Sequence, residues 1–103
     1  MVFGWLKNAS INQQKNNIKN DLLKLINIVN ISDNYFIKTG MLDNDIIKKV
    51  HSAQSNLLFS IVGPLELEDI KKEFFDPILN NENCSNGLRM SIINVYDTAI
   101  SER

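Results

Sequence analysis

The chain has 103 residues, the length of one typical domain. Its hydrophobic fraction of 44%, with two prolines and four glycines, excludes the composition of a disordered chain. Eleven basic and twelve acidic residues give a net charge of -1, which excludes the strong positive field of a dedicated nucleic-acid-binding protein. We therefore expect a single domain over residues 1–103 with one core.

Cysteine use and the apolar segments indicate the compartment. Cys84 is the only cysteine in the sequence, so no intramolecular disulfide can form, as expected in a reducing compartment. No stretch approaches the roughly 18 apolar residues that a membrane-spanning helix needs, and the first residues lack the pattern of a secretory signal. These features predict a cytoplasmic protein without a membrane segment.

The first predicted helix begins at Ser10, which forms a capping box with Gln13, and runs to about Asn30. Apolar residues recur along it at the spacing of one helix face. They are Ile11, Ile18, Leu22, Leu25 and Val29. The preceding apolar residues predict a lid over the core, with a membrane anchor or a protein interface as the alternatives. They are Val2, Phe3, Trp5 and Leu6.

Two further helices are predicted on either side of Gly40. Ser32 and Asp33 can cap a short helix that ends near Gly40, because glycine suits the left-handed position after a helix. Asp43 or Asn44 caps the next helix, which is predicted up to residue 61. Its inward-facing residues are Ile46, Val50, Ala53, Leu57 and Ile61.

The two prolines predict where the following helix begins and ends. Gly63 stops the preceding helix, and Pro64 suits the first turn of a new one. The inward-facing residues of this helix are Leu67, Ile70 and Phe74. Asp76 and Pro77 are predicted to end it, because a residue before proline disfavours the α conformation. Residues 80–87, rich in Asn and Ser, predict the longest loop.

A last helix is predicted from the apolar spacing near the C-terminus. Its inward-facing residues are Leu88, Ile92, Val95 and Ala99. The fold class is therefore all-α, a compact bundle of four to five helices with antiparallel neighbours. Its predicted core consists of Ile18, Leu22, Leu25, Val29, Ile46, Val50, Leu57, Ile61, Phe74, Ile92 and Val95.

No motif for catalysis, a cofactor or a metal appears in the sequence. His51 is the only histidine, so it cannot complete a zinc site with Cys84 at the usual ligand spacing. A Cys–His nucleophile pair is formally possible, but neither residue lies in a local signature. No glycine-rich loop precedes a helix. We therefore expect no enzyme activity, no cofactor, no metal and no small-molecule substrate.

Four acidic residues follow one another at steps of 3, 4 and 3 in the helix predicted after Pro64. They are Glu66, Asp69, Glu73 and Asp76. This spacing places them in one line on a helix surface rather than in a cleft. Because like charges at i and i+4 destabilise a helix, the line indicates a binding face for a basic protein. A solvated face, whose first acids favour the helix dipole, is the interpretation that the pattern alone favours over a binding face.

The basic residues give a weaker indication of a nucleic-acid partner. Lys15 and Lys19 share a helix face and Lys48 adjoins Lys49, but no aromatic or arginine side chains that read bases accompany them. Nucleic acid is therefore a less favoured partner. A small DNA-binding or regulatory helical protein is one alternative function, and a structural or assembly module is another.

The profile of small size, no site, an acidic segment and many residues encoded by A/T-rich codons is similar to that of bacterial immunity proteins. These proteins neutralise nuclease toxins in the cells that produce them. The resemblance is one of type and involves no shared motif. It implies a non-catalytic inhibitor that occludes the active site of a basic toxin domain, such as a nuclease, through the four acids named above.

Overall fold

The computed structural model describes residues 2–102, with side chains described from Ser10 onward. The helices are α1 (Val2–Thr39), α2 (Asn44–Ser60), α3 (Leu67–Ile70), α4 (Asp76–Leu79) and α5 (Asn86–Ser101), and the π-helical turn Lys71–Phe75 joins α3 to α4. We call the continuous stretch from α3 to α4 the α3–α4 segment. No strand occurs in the described part of the chain. The predicted all-α bundle of four to five helices is confirmed.

Helix α1 is one continuous helix of 38 residues. The prediction of two helices, one beginning at Ser10 and another capped by Ser32 and Asp33, is wrong. No glycine or proline occurs between Trp5 and Thr39, so nothing in the backbone forces a break. A capping side chain stabilises a helix start only where the chain is not already helical on both sides.

The end of α1 follows the prediction. Gly40 has a φ of +68°, in the left-handed region that favours glycine. Its N–H donates to the Phe36 carbonyl oxygen at 2.7 Å, which closes the last turn. The backbone of residues 2–9 belongs to α1. The side chains of the predicted lid, namely Val2, Phe3, Trp5 and Leu6, lie outside those that the structure describes.

Asp43 is the N-cap of α2. Its Oδ1 accepts a hydrogen bond from the Ile46 N–H at 3.0 Å, and its own backbone is extended. From the sequence, either Asp43 or Asn44 was predicted to cap α2. The hydrogen bond selects Asp43, because it satisfies one of the amide groups that the first helical turn leaves without an intrahelical partner.

We expect Asp43→Ala to lower the free energy of unfolding by about 1 kcal/mol, the usual value of an N-cap. Chemical denaturation of the purified variants measures this change. Asn44→Ala is the matched control, since Asn44 is the exposed first residue of the same helix and makes no cap. An equal loss in the two variants would contradict the assignment of the cap.

A single apolar cluster joins the helices. Its members are Ile18, Leu22, Leu25, Val29, Ala53, Leu57, Ile61, Leu67, Ile70, Phe75, Leu88, Ile92, Val95 and Ala99. Helix α1 packs mainly against α2, and α5 packs against both. The predicted core members Ile46, Val50 and Phe74 are only partly buried. Val50 contacts the cluster at its edge, whereas Ile46 lies in the first turn of α2, where a helix has fewer neighbours.

The π-helical turn shifts the inward-facing side of the α3–α4 segment by one residue. The sequence predicts Phe74 in the core after Ile70, but Phe75 is the fully buried residue. Within this turn, the Asp76 N–H donates to the Lys71 carbonyl oxygen, five residues back. A π turn holds one residue more than an α turn, so the fifth residue after Ile70 faces the core instead of the fourth.

Both proline predictions are wrong. Helix α3 begins at Leu67 with Glu66 as N-cap, so Pro64 lies in the connection before the helix. Pro77 does not end the segment but lies in the first turn of α4, where a backbone N–H has no intrahelical partner. The π turn before it interrupts the regular bonding pattern, and this interruption accommodates the proline.

The predicted loop over residues 80–87 is shorter in the structure. Helix α5 begins at Asn86, and the Ser85 Oγ accepts a hydrogen bond from the Leu88 N–H at 3.1 Å as its N-cap. Residues 80–85 are non-helical. This connection therefore has the same length as the connection over residues 61–66, and it is not longer than that one as predicted. Arg89 donates from Nη1 to the carbonyl oxygen of Leu79 at 2.7 Å, which attaches the end of α4 to α5.

Gln14 attaches α1 to the connection after α2. Its side chain is 7% exposed. Nε2 donates to the Ser60 carbonyl oxygen at 3.2 Å, and Oε1 accepts from the Leu65 N–H at 3.0 Å. A Cβ on Gly63 would lie 2.8 Å from the carboxamide carbon of Gln14, too close for a stable contact. Glycine at position 63 thus lets the connection approach α1 closely enough for both hydrogen bonds.

Candidate functional site

The structure places the four predicted partner-binding acids in different surroundings. Glu66 and Asp69 are exposed at the start of α3. Glu73 lies 3.2 Å from the Lys15 ammonium of α1, measured from Oε2 to Nζ. Asp76 lies 2.8 Å from the Lys71 ammonium, measured from Oδ1 to Nζ, and is partly buried. The π turn interrupts the regular spacing from which the single line of acids was predicted.

The Lys71–Asp76 pair is a local contact within the α3–α4 segment. The hydrogen bond to the Asp76 carboxylate raises the pKa of Lys71 above its ordinary value. Lys71 therefore carries its full charge at neutral pH. Lys15 and Glu73 are each more than a third exposed, and exposed ion pairs contribute little to stability because water solvates both groups well.

The α3–α4 segment and its N-cap together carry a negative net charge. Five acids stand against two lysines between residues 66 and 76, which gives a formal charge of -3. Glu68, Asp69 and Glu73 of the segment are exposed, and so is the N-cap residue Glu66. Such a surface suits electrostatic attraction to a basic protein. Acid–base chemistry uses carboxylates held in an enclosed site instead.

The structure gives the lone histidine and cysteine separate surroundings. His51 is exposed on α2. Cys84 is partly buried in the α4–α5 connection, where its thiol contacts the Ser85 carbonyl oxygen at 3.6 Å and lines a small cavity with Ile26 and Ile78. His51 does not line that cavity. Within the described residues, no three His, Cys, Asp or Glu side chains lie close enough to bind a metal ion together.

The lysines considered for nucleic-acid binding lie on two different helices, α1 and α2. Lys15 contacts Glu73, which partly neutralises its charge. Lys19 is exposed further along α1, and Lys48 and Lys49 are exposed on α2. No aromatic pair or arginine fork accompanies them in the sequence around these positions.

A broad groove of about 730 Å³ lies between the end of α1, the α1–α2 turn and the first turn of α5. We call it the end groove. Its lining residues are Asn30, Ser32, Asp33, Asn34, Phe36, Ile37, Leu42, Ser85, Asn86 and Gly87. Large apolar side chains in it are exposed, at 51% for Phe36, 78% for Ile37 and 61% for Leu42.

Sequence reasoning missed the end groove. Its signal is the pair of apolar residues on each side of Gly40, namely Phe36 and Ile37 before it and Met41 and Leu42 after it. Phe36 and Ile37 belong to the short helix that was predicted to end near Gly40, and Met41 and Leu42 were assigned to no element. All four are exposed in the structure.

No model of a known protein family matches the chain, and no curated protein and no solved structure is significantly similar to it. Among the helices of the described residues, none combines the length and the apolar character that crossing a membrane requires.

Proposed function

We propose that this chain is a non-catalytic, cytoplasmic inhibitor of the bacterial immunity type, which binds a basic toxin domain such as a nuclease and occludes its active site. The observation that supports this proposal is the exposed acidic surface of the α3–α4 segment and its N-cap, where Asp69 projects from a convex helix and Glu66 precedes that helix. A convex acidic surface is complementary to the basic, concave cleft in which a nuclease binds phosphates.

Glu73 and Asp76 belong to the same proposed surface, although each contacts a lysine of its own chain. Because the Lys15–Glu73 pair is exposed, a lysine or arginine of the toxin can replace Lys15 at small cost. Glu66, Asp69, Glu73 and Asp76 all contribute to the long-range attraction, and Glu73 can also contact the toxin directly after docking.

The proposal is tested first by capturing partners from the native lysate at low salt with the tagged chain, followed by mass spectrometry. The expected result is one basic protein that is inactive while bound and is released by salt. Recovery of nucleic acid alone would favour the DNA-binding alternative. Recovery of the chain only with itself would favour the structural or assembly module.

Reversing the two acids at the start of α3 should slow association. We expect Glu66→Lys together with Asp69→Lys to reduce the association rate with the captured partner by about tenfold or more at low salt, since steering depends on opposite charges. Surface plasmon resonance at several salt concentrations measures this rate, and the difference should shrink as salt rises.

The matched control is Asp97→Lys with Glu102→Lys, which makes the same change of net charge at an exposed position of α5 and at its exposed C-cap. It should leave the association rate within about twofold of the original, apart from the general effect of net charge. Equal slowing in both double variants would show that the acidic surface has no specific role, and the proposal would fail.

A further inference from the structure

We propose that the end groove is a docking site for an amphipathic helix of a partner protein, which places apolar side chains on Phe36, Ile37 and Leu42 and a lysine or arginine next to Asp33. This surface differs from the acidic one. The groove residue Asp33 lies eighteen residues beyond Lys15 on α1, roughly 27 Å along the helix from the Lys15–Glu73 contact. The proposal therefore holds whether or not the partner is a toxin.

Several exposed apolar side chains lie together in and next to the end groove. Ile37 is the most exposed of its apolar residues at 78%, and Met41, next to Leu42 in the α1–α2 turn, is 64% exposed. Scattered apolar residues on a surface need no explanation, but several that line one concave region indicate a binding surface. Covering them removes apolar area from water, which is the main driving force of protein association.

The charge of the end groove indicates which charge its partner carries. Asp33 is the one charged residue among its lining residues, so the groove is acidic and contains no described cation. Its Oδ1 lies 2.8 Å from the position that a Cβ of Gly87 would occupy, so the carboxylate sits against the first turn of α5. The partial positive charge of that turn stabilises a carboxylate there. Among the described residues no lysine or arginine pairs with Asp33, which leaves it available to a partner's cation.

The other possible occupants fit less well. A second copy of this chain would bring an identical acidic groove, with Asp33 and no lysine, against the first. A small molecule needs a site that encloses most of its surface, whereas Ile37 and Leu42 are largely open to solvent. Strand addition needs a sheet edge, and the described residues form no strand. Grooves for proline-rich peptides are lined by several aromatic rings, whereas Phe36 is the single aromatic residue here.

Two synthetic peptides of about 16 residues test the proposal. Both carry leucines at the i, i+3, i+4 and i+7 positions of a helix, and they differ in having either lysine or glutamate beside that face. Each is titrated to about 1 mM into the full-length, ¹⁵N-labelled chain while its amide spectrum is recorded. We expect the lysine peptide to shift the amide signals of residues 33–42 and 85–87 and to bind about tenfold more tightly than the glutamate peptide.

Variants separate the apolar contribution from the charge. Phe36→Ser with Leu42→Ser should weaken binding of the lysine peptide by about tenfold or more. The control, Phe59→Ser with Val62→Ser, removes two apolar side chains that are 80% and 66% exposed near the end of α2, and it should leave the affinity unchanged. Asp33→Asn keeps the shape of the side chain and should abolish the preference for lysine over glutamate.

Several results would overturn the proposal. These are equal binding of the two peptides, signal shifts confined to other surfaces, no binding at the highest concentration, and self-association that Phe36→Ser with Leu42→Ser abolishes. Glu66→Lys with Asp69→Lys should bind the lysine peptide as the original chain does. That result separates the end groove from the inhibitor function, so failure of one proposal is distinguishable from failure of the other.

Discussion

Replacing Phe75 with alanine is expected to lower the free energy of unfolding by about 3–5 kcal/mol, the range for removing a buried aromatic ring. Phe75 is completely buried, and its ring packs edge-to-face against Tyr96 with centroids 6.3 Å apart and planes at 89°. Alanine removes both the apolar burial and this contact between rings, and leaves a cavity in the core. Urea denaturation followed by far-ultraviolet circular dichroism measures the loss.

Phe74→Ala is the control that makes this prediction specific. The chemical change is identical and lies one residue earlier in the same helical segment, but Phe74 is only partly buried. We expect it to cost less than half as much as Phe75→Ala, because less apolar area leaves the core. If Phe74→Ala were the more damaging change, the segment would have the regular α-helical register, and the π turn at Lys71–Phe75 would be contradicted.

The helical periodicity was sufficient to predict the fold class and most of the core. Stripes such as Ile18, Leu22, Leu25 and Val29 lie on one face of a helix whatever its length, so their burial follows from spacing alone. The continuity of α1 could not be predicted in this way. Ser10 and Ser32 have the chemistry of caps, but a cap is used only where tertiary packing ends the helix, and here packing supports the helix through both positions.

The π turn was beyond prediction for a related reason. Its single added residue leaves the composition of the segment unchanged and only rotates the side chains that follow it. Pro77 was the available signal, and it was interpreted as a terminator of the helix. A proline in the first turn of a new helical stretch is equally consistent with the sequence, and the structure shows this second arrangement.

The candidate surfaces could be predicted only in part. The acidic composition of residues 66–76 is evident in the sequence, but the contact of Glu73 with Lys15 joins residues 58 positions apart and depends on the packing of α1. The end groove combines Asp33 and Phe36 of α1 with Gly87 of α5. Neither helix shows the groove in isolation, because its concavity arises from their relative placement.

Gln14→Leu is expected to lower the free energy of unfolding by about 1–3 kcal/mol, although leucine is apolar and similar in size. The substitution leaves the Leu65 N–H and the Ser60 carbonyl oxygen without the partners that the carboxamide supplies. The Ser60 carbonyl lies at the end of α2, where a carbonyl has no intrahelical donor. The added apolar burial offsets part of this cost, but the side chain of Gln14 is already buried, so the gain is limited.

Gln13→Leu is the matched control, because Gln13 is exposed and, among the described residues, its side chain hydrogen-bonds to Asn17 of the same helix alone. It should change the free energy of unfolding by no more than about 0.5 kcal/mol, as surface substitutions usually do. Hydrogen exchange adds a local measurement, since the Leu65 amide should lose protection in Gln14→Leu and keep it in Gln13→Leu. Unchanged protection of Leu65 in Gln14→Leu would mean that the carboxamide does not hold the connection to α1, and that packing around Gly63 alone positions it.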